Sequence, residues 1–293
     1  MRQMTMFAQR VCSMLVGAFF VGAFAFTVLA TSPAALALTF TTIDVPGATG
    51  TGADRSNAAG QIVGGYADAS GMGHGFLLDN GTFITIDFPG ATGTTTFGIN
   101  AAGQIVGIYG DAGTEHGYLL DNGAFTTIDV PGATRTAPFD INSRGQIVGD
   151  YVDGGGTSHG FLLDKGTFTT IDPPGSVFTQ AIGINAAGRI VGDFELPGQH
   201  HGFLLDKGTF TLIDFPGPPT GTDALGINAV GQVVGRYVAG GTEHGFLLDK
   251  GTFTTVDPPG STFTEAIGIN ASGQIVGDYT DASGAGHGFV ATP

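Results

Sequence analysis

Residues Phe97 to Asp129 read FGINAAGQIVGIYGDAGTEHGYLLDNGAFTTID, and this stretch carries the plan of the whole chain. Four short segments rich in Phe, Ile, Val, Leu, Tyr and Thr (FGIN, QIVGIY, HGYLL and AFTTI) alternate with turn chemistry. That is the content of a four-stranded antiparallel sheet. The pattern recurs along the sequence. GQIVG or a close variant begins at Gly60, Gly103, Gly145, Gly188, Gly231 and Gly273, at spacings of 43, 42, 43, 43 and 42. His-Gly-Phe or His-Gly-Tyr begins at His74, His116, His159, His201, His244 and His287. A TFTTID-like segment ends at Asp44, Asp87, Asp129, Asp172, Asp214 and Asp257, and an FGIN-like segment ends at Asn57, Asn100, Asn142, Asn185, Asn228 and Asn270.

The segments are apolar on both faces. In the run from Phe83 to Asp87, Phe83 and Ile86 have opposite parity and point to opposite sides of a strand. A sheet with two apolar faces has to be covered twice, which radial stacking of blades achieves. The first repeat opens on an unpartnered TFTTID segment, Thr39 to Asp44, whereas the last stops at His287-Gly-Phe-Val-Ala-Thr-Pro293 without one. Pairing the two completes the last sheet. The predicted fold is therefore all-β: a six-bladed β-propeller with four short antiparallel strands per blade, its ring closed by the N-terminal strand pairing with the last blade. An open β-solenoid, the other repeat architecture, has no use for such complementary ends.

The motifs GTFTTIDVPGAT, FGINAAGQIVGIY and HGYLLDNG resemble those of the extracellular HAF-repeat family, whose His-Ala-Phe motif here reads His-Gly-Phe or His-Gly-Tyr. The resemblance runs from about Thr39 to Phe289. It implies an exported, repeat-built protein and no defined reaction.

Before the repeats, residues 1–37 have the layout of a secretory signal peptide, leaving 38–293 as the six-repeat propeller domain. Arg2 and Arg10 supply the positive start, an uncharged run follows from Val11 to Ala30, and Ala35-Leu36-Ala37 offers the small residues of a cleavage site. An uncleaved membrane anchor is the competing reading of that run. Cleavage predicts an extracellular or periplasmic protein. The one cysteine, Cys12, lies in this segment, so the mature chain has neither disulfides nor a thiol nucleophile. The cut also removes two of the ten basic residues and no acid, which takes the formal net charge from −15 to −17. Such a surface repels nucleic acid and anionic membrane and favours cations, basic surfaces or neutral ligands. The chain is expected to act as a monomer, with a carbohydrate or an extracellular protein as its partner.

Most recurring residues are explained by the fold. Equivalent histidines lie around a ring and cannot converge on one ion; each is expected to bond a neighbouring loop. Asn-Ala-Ala-Gly, Asp-Asn-Gly and Asp-Lys-Gly read as tight turns. No cofactor is expected. The acidic, Gly-rich loops that begin at Asp68, Asp111, Asp153 and Asp281 suggest Ca²⁺, but the ion takes six to eight oxygens and each loop offers one or two carboxylates, so they read as solvated turns. A nucleophile elbow, a phosphate-binding glycine loop and a His-Glu zinc helix are all missing from the sequence.

Chemistry in a symmetric scaffold has to sit where one repeat departs from the others. Three departures stand out: Asp54-Arg55-Ser56 in place of Phe-Gly-Ile, Asp140 in place of Gly, and Phe194-Glu-Leu-Pro-Gly-Gln-His200 in place of the usual Tyr-x-Asp loop. Arg55 and Asp140 share the register position of Gly98, Gly183, Gly226 and Gly268, so both are candidate channel residues. The joins between strands alternate between two faces. One face carries the tight hairpins, and the other carries the longer, more variable joins on which binding residues concentrate. Asp68, Asp111, Asp153, Glu195 and Asp281 are the candidate ligand-face residues. The expected role is binding or scaffolding of a carbohydrate, a cation or a surface protein. The alternatives are a glycan-active hydrolase or lyase using carboxylates at the axial mouth, and a structural envelope protein. Departures scattered around the rim favour binding or structure; departures that converge at one end of the axis favour an enzyme.

Overall fold

The computed structural model describes residues 38–217 and 221–293. The signal-peptide reading of residues 1–37 falls outside them. The described residues form twenty-four strands. β1 is Thr39–Ile43. Blade 1 comprises β2 (Gly50–Ser56), β3 (Ile62–Ala67), β4 (Gly73–Asp79) and β5 (Thr82–Ile86), and blade 2 comprises β6 (Thr94–Ile99), β7 (Ile105–Asp111), β8 (Thr114–Asp121) and β9 (Ala124–Ile128). Blade 3 comprises β10 (Arg135–Ile141), β11 (Ile147–Val152), β12 (Ser158–Asp164) and β13 (Thr167–Ile171), and blade 4 comprises β14 (Phe178–Ile184), β15 (Ile190–Leu196), β16 (Gln199–Asp206) and β17 (Thr209–Ile213). Blade 5 comprises β18 (Thr222–Ile227), β19 (Val233–Ala239), β20 (Thr242–Asp249) and β21 (Thr252–Thr255), and blade 6 contains β22 (Phe263–Ile269), β23 (Ile275–Thr280) and β24 (Gly286–Thr292).

Each blade is an antiparallel meander, and β1 supplies the outermost strand of the last one, in the order β1-β24-β23-β22. The register runs from Thr39 opposite Thr292 to Ile43 opposite Gly288. The six-bladed propeller and its closure by the N-terminal strand are as the repeats predict.

Packing between blades follows from the His-Gly-Phe motif. Phe76, Tyr118, Phe161, Phe203, Phe246 and Phe289 are fully buried, as are Val63, Val106, Val148, Val191 and Val234 of the GQIVG segments. Phe83 and Ile86 do face opposite ways: Phe83 packs in the cluster with Phe76 and Val276, and Ile86 in the one with Val63 and Tyr118.

Every inner strand carries a β-bulge, at Ala53/Arg55, Thr96/Gly98, Pro138/Asp140, Ala181/Gly183, Ala224/Gly226 and Ala266/Gly268. The bulge turns the next residue toward the axis, where neighbouring backbones crowd. A Cβ at Gly226 would lie 2.5 Å from the Ile267 carbonyl oxygen, which is why glycine prevails there.

The two faces differ as the topology requires, with one correction. On the hairpin face, Asn80, Asn122, Lys165, Lys207 and Lys250 hold positive φ ahead of a glycine, so the outer turns are tight. On the opposite face, the joins before the histidines are not uniformly longer. Blades 1, 3 and 6 have Asp-led loops, but Ala112-Gly113 and Gly240-Gly241, all at positive φ, make two-residue turns, and Pro197-Gly198 makes a third. Asp111 is thus the last residue of β7, paired with Thr114, rather than part of a loop.

Candidate functional site

Structural roles account for the repeated polar residues. Each repeated histidine puts Nδ1 against the Asp that ends the outer strand: His116 on Asp129 at 2.9 Å, His159 on Asp172 at 2.8 Å, and His287 on Asp44 of the closing strand at 2.9 Å. Five of these rings stack on the preceding Tyr, as in Tyr109 with His116, and His201 lies against Phe194 instead. The asparagines do more than start turns. Each Oδ1 accepts its own turn's N–H groups, while Nδ2 of Asn57, Asn100, Asn142, Asn185 and Asn228 donates to the Asn carbonyl of the next blade, a chain that ends at Asn270. This belt rings the axial vestibule on the hairpin face, which Arg55 and Asp140 also line.

Arg55 plugs that axis. Its Nη1 donates to the carbonyls of Ile267 at 2.6 Å and Asp54 at 3.0 Å, and its Nη2 to those of Ile182 at 3.0 Å and Leu225 at 2.7 Å. Its Nε faces Asp140 Oδ2 at 3.5 Å, and Asp140 in turn accepts the Ile141 and Ile184 N–H groups. Burial raises the Asp140 carboxyl, although Arg55 opposes the rise. With its Nη donors spent on carbonyls, Arg55 has little to offer a ligand. The vestibule is a structural floor.

The opposite face differs. Three register positions near its ends change from blade to blade. On the inner strand they hold Gly52, Thr95, Ala137, Gln180, Asp223 and Glu265; on the second strand Gly65, Ile108, Asp150, Asp193, Arg236 and Asp278; and before the repeated His they hold Gly73, Glu115, Ser158, His200, Glu243 and Gly286. Ionisable residues accumulate from blade 3 onward and meet one another. Arg135 donates to Glu115 at 2.7 Å and to Asp150 at 2.9 Å, and Asp150 also accepts from Ser158 at 2.7 Å and Gln180 at 3.3 Å. Arg236 bonds Asp223, Glu265 and, at 2.8 Å, Glu243. His200 Nε2 contacts Asp223 Oδ1 and faces Asp193 Oδ2 at 3.5 Å, while its Nδ1 faces Glu195 at 3.6 Å. His200 and His201 point to opposite faces of β16: His201 bonds Asp214 at 3.0 Å.

The electrostatics reflect an excess of buried acid. Burial and then the neighbouring Asp223 push Asp193 up to about 7. Burial would raise Asp223 too, but Arg236 and His200 hold it well below the carboxylate range. Burial would lower His200, but Asp223, Asp193 and Glu195 raise it to about 9. At the seam between blades 6 and 1, Asp278 accepts the Ala53 N–H at 3.0 Å. Burial, then Asp54 and Glu265, push it well above its ordinary range, and burial, partly offset by Arg55, pushes Asp54 up to about 7.

That last pair makes stability depend on pH. A carboxyl raised in the folded protein holds a proton that the unfolded chain releases near pH 4, so its contribution is full below about pH 4 and is lost as pH rises toward about 7. The thermal midpoint is expected to fall between about pH 5 and about pH 8, and Asp278→Asn to flatten that fall. A midpoint that rises across the interval would contradict a protonated seam.

Of the five ligand-face candidates, only Glu195 joins this cluster. Asp68, Asp153 and Asp281 cap their own loops, accepting the N–H groups of Ser70 and Met72, Gly155 and Thr157, and Ser283 and Ala285. Asp111 stands apart on blade 2. Asp150, Asp193, Asp223, Arg236, Glu243, Glu265 and Asp278 lie outside the residues that the sequence motifs single out. A column-by-column comparison of the six copies would have found them.

Fold and site together define a six-bladed propeller with one asymmetric, acid-rich face. The sequence matches no family model and no curated protein. Among solved structures, the Aleuria aurantia lectin in complex with Fucα1-6GlcNAc is similar at TM-score 0.53 and 15% identity, covering 83% of this chain and 91% of that one. TolB from Acinetobacter baumannii matches at 0.57 and 12%, covering 79% and 63%. The propeller domain of the Trilobed protease from Pyrococcus furiosus matches at 0.51 and 10%, covering 83% and 95%. Identities this low establish the shared fold alone.

Proposed function

We propose that the protein is an exported binding module, built of HAF-type repeats, that takes a neutral saccharide on the face carrying Asp150, Asp193, Asp223, Arg236 and Glu265. One observation carries the reading: apart from the Arg55–Asp140 pair at the axis, the buried ionisable residues that do not repeat gather on one face over blades 3 to 6, while those that repeat are spent on the fold. Carboxylates, guanidinium groups and the Gln180 amide in one cluster supply the donors and acceptors that hydroxyl-rich ligands need. The lectin likeness is consistent with this and adds no residue-level support. Screening the purified protein on a glycan array beside Asp223→Asn is the test. Saccharide capture lost in the variant supports the reading, and capture unchanged by the variant refutes this placement.

A second reading has its own observation. Asp54 and Asp278 are neighbouring, half-buried carboxyls, both raised, as a general acid for glycan cleavage has to be. New reducing ends released from a captured glycan, and lost in Asp54→Asn, would favour the enzyme.

A further inference from the structure

We propose that Asp193, His200 and Asp223 form a site for one divalent cation of the zinc class at the seam between blades 4 and 5. This deepens the binding-module reading and rests on it for the choice of face. The three ligand atoms lie within 4.8 Å of one another. A tetrahedral zinc with bonds of about 2.0–2.1 Å sets its ligands roughly 3.4 Å apart. His200 Nε2 and Asp193 Oδ2 already stand at 3.5 Å, and Asp223 Oδ1, now in contact with Nε2, has only to draw back as the ion enters.

A separate observation points to a missing partner. The Asp193 side chain is 5% exposed, and its carboxylate faces Nε2 beyond ordinary hydrogen-bonding distance. A carboxylate that deep normally has a close donor or a cation. The surroundings also suit ligation. Glu195 faces the far ring nitrogen of His200, and the second Asp223 oxygen accepts from Arg236 Nε. These are the outer contacts that orient an imidazole and a carboxylate toward a metal. His200 is 27% exposed and Glu195 51%, which leaves a way in from solvent.

The chemistry favours zinc over calcium, since one imidazole and two carboxylates fall short of the six to eight oxygens calcium takes. The site occurs once by construction. Positions equivalent to His200 hold Gly73, Glu115, Ser158, Glu243 and Gly286, and each repeated histidine is engaged by its own aspartate.

The test titrates ZnCl₂ into chelator-treated protein by calorimetry, with elemental analysis, circular dichroism to confirm folding, and the glycan array run in parallel. One zinc per chain is expected. Asp193→Asn and His200→Gln should each weaken binding by at least about 100-fold and Glu195→Gln by about 10-fold, whereas His201→Gln should leave it unchanged. No stoichiometric zinc in the unaltered protein, or equal losses from His200→Gln and His201→Gln, would overturn the site. Saccharide capture that persists without zinc uptake removes the cation alone; absence of both removes the choice of face as well.

Discussion

Deleting residues 39–44 is expected to open the ring and lower stability by more than about 5 kcal/mol, beyond what all but exceptional single substitutions cost. β1 is paired along its full length with β24, from Thr39–Thr292 to Ile43–Gly288. Its removal also takes away the Phe40 ring packed on Phe289 at 5.7 Å, the Thr42 hydroxyl bonded to Tyr279 at 3.0 Å, and Asp44, the partner of His287. What is left is an exposed edge on β24 and an uncovered apolar seam, a template for association with other chains. The deletion variant should unfold at much lower temperature and tend to self-associate, and a peptide spanning residues 38–47 added in trans should recover part of the loss. A midpoint equal to that of the intact protein would contradict closure.

The second large effect is expected at the axis. Arg55→Met should cost about 3–5 kcal/mol, because it removes one partner of a buried ion pair and leaves the other uncompensated. It also strips the Ile182, Leu225 and Ile267 carbonyls of their donor, three acceptors contributed by three different blades. For a domain of this size the midpoint should drop by roughly 6–20 °C. The double variant Arg55→Met/Asp140→Leu should be more stable than the single one, since no buried charge is then left alone. If Arg55→Met unfolds with the midpoint of the unaltered protein, the guanidinium is not holding the blades together.

The fold was legible because its instructions are local and written six times. Turn residues, apolar segments on both strand faces and complementary chain ends are each readable without knowing which residues meet. The axis was half legible. Arg55 and Asp140 showed as departures from glycine, but the bulge that aims them inward has no sequence signature, and neither does the asparagine belt, which exists only between blades. The acid-rich face was missed for a different reason. Asp150 and Asp278 end GQIVGD segments and Asp193 a GRIVGD segment, where an acid looks like a solvated strand position. Asp150 and Asp193 are buried and Asp278 half-buried only because the inner strand of the next blade lies beside them, with Gln180 against Asp150, Asp223 in the same cluster as Asp193 and Gly52 against Asp278. Loop length misled as well. Asp68, Asp153 and Asp281 drew notice as Gly-rich loops, whereas the chemistry gathers on the strands beside the shorter turn at Pro197-Gly198.

One face of the ring is expected to bind ligand and the other only to close the ring. The most direct measurement compares binding of a saccharide captured by the unaltered protein across two variants: Asp223→Asn/Glu265→Gln on the acid-rich face, and Ala101→Arg/Ala229→Arg in the exposed hairpins of the opposite face. Loss of affinity is expected in the first and none in the second. Affinity that survives in the first and is lost in the second would show that the vestibule ringed by asparagines, and not the acid-rich face, holds the ligand.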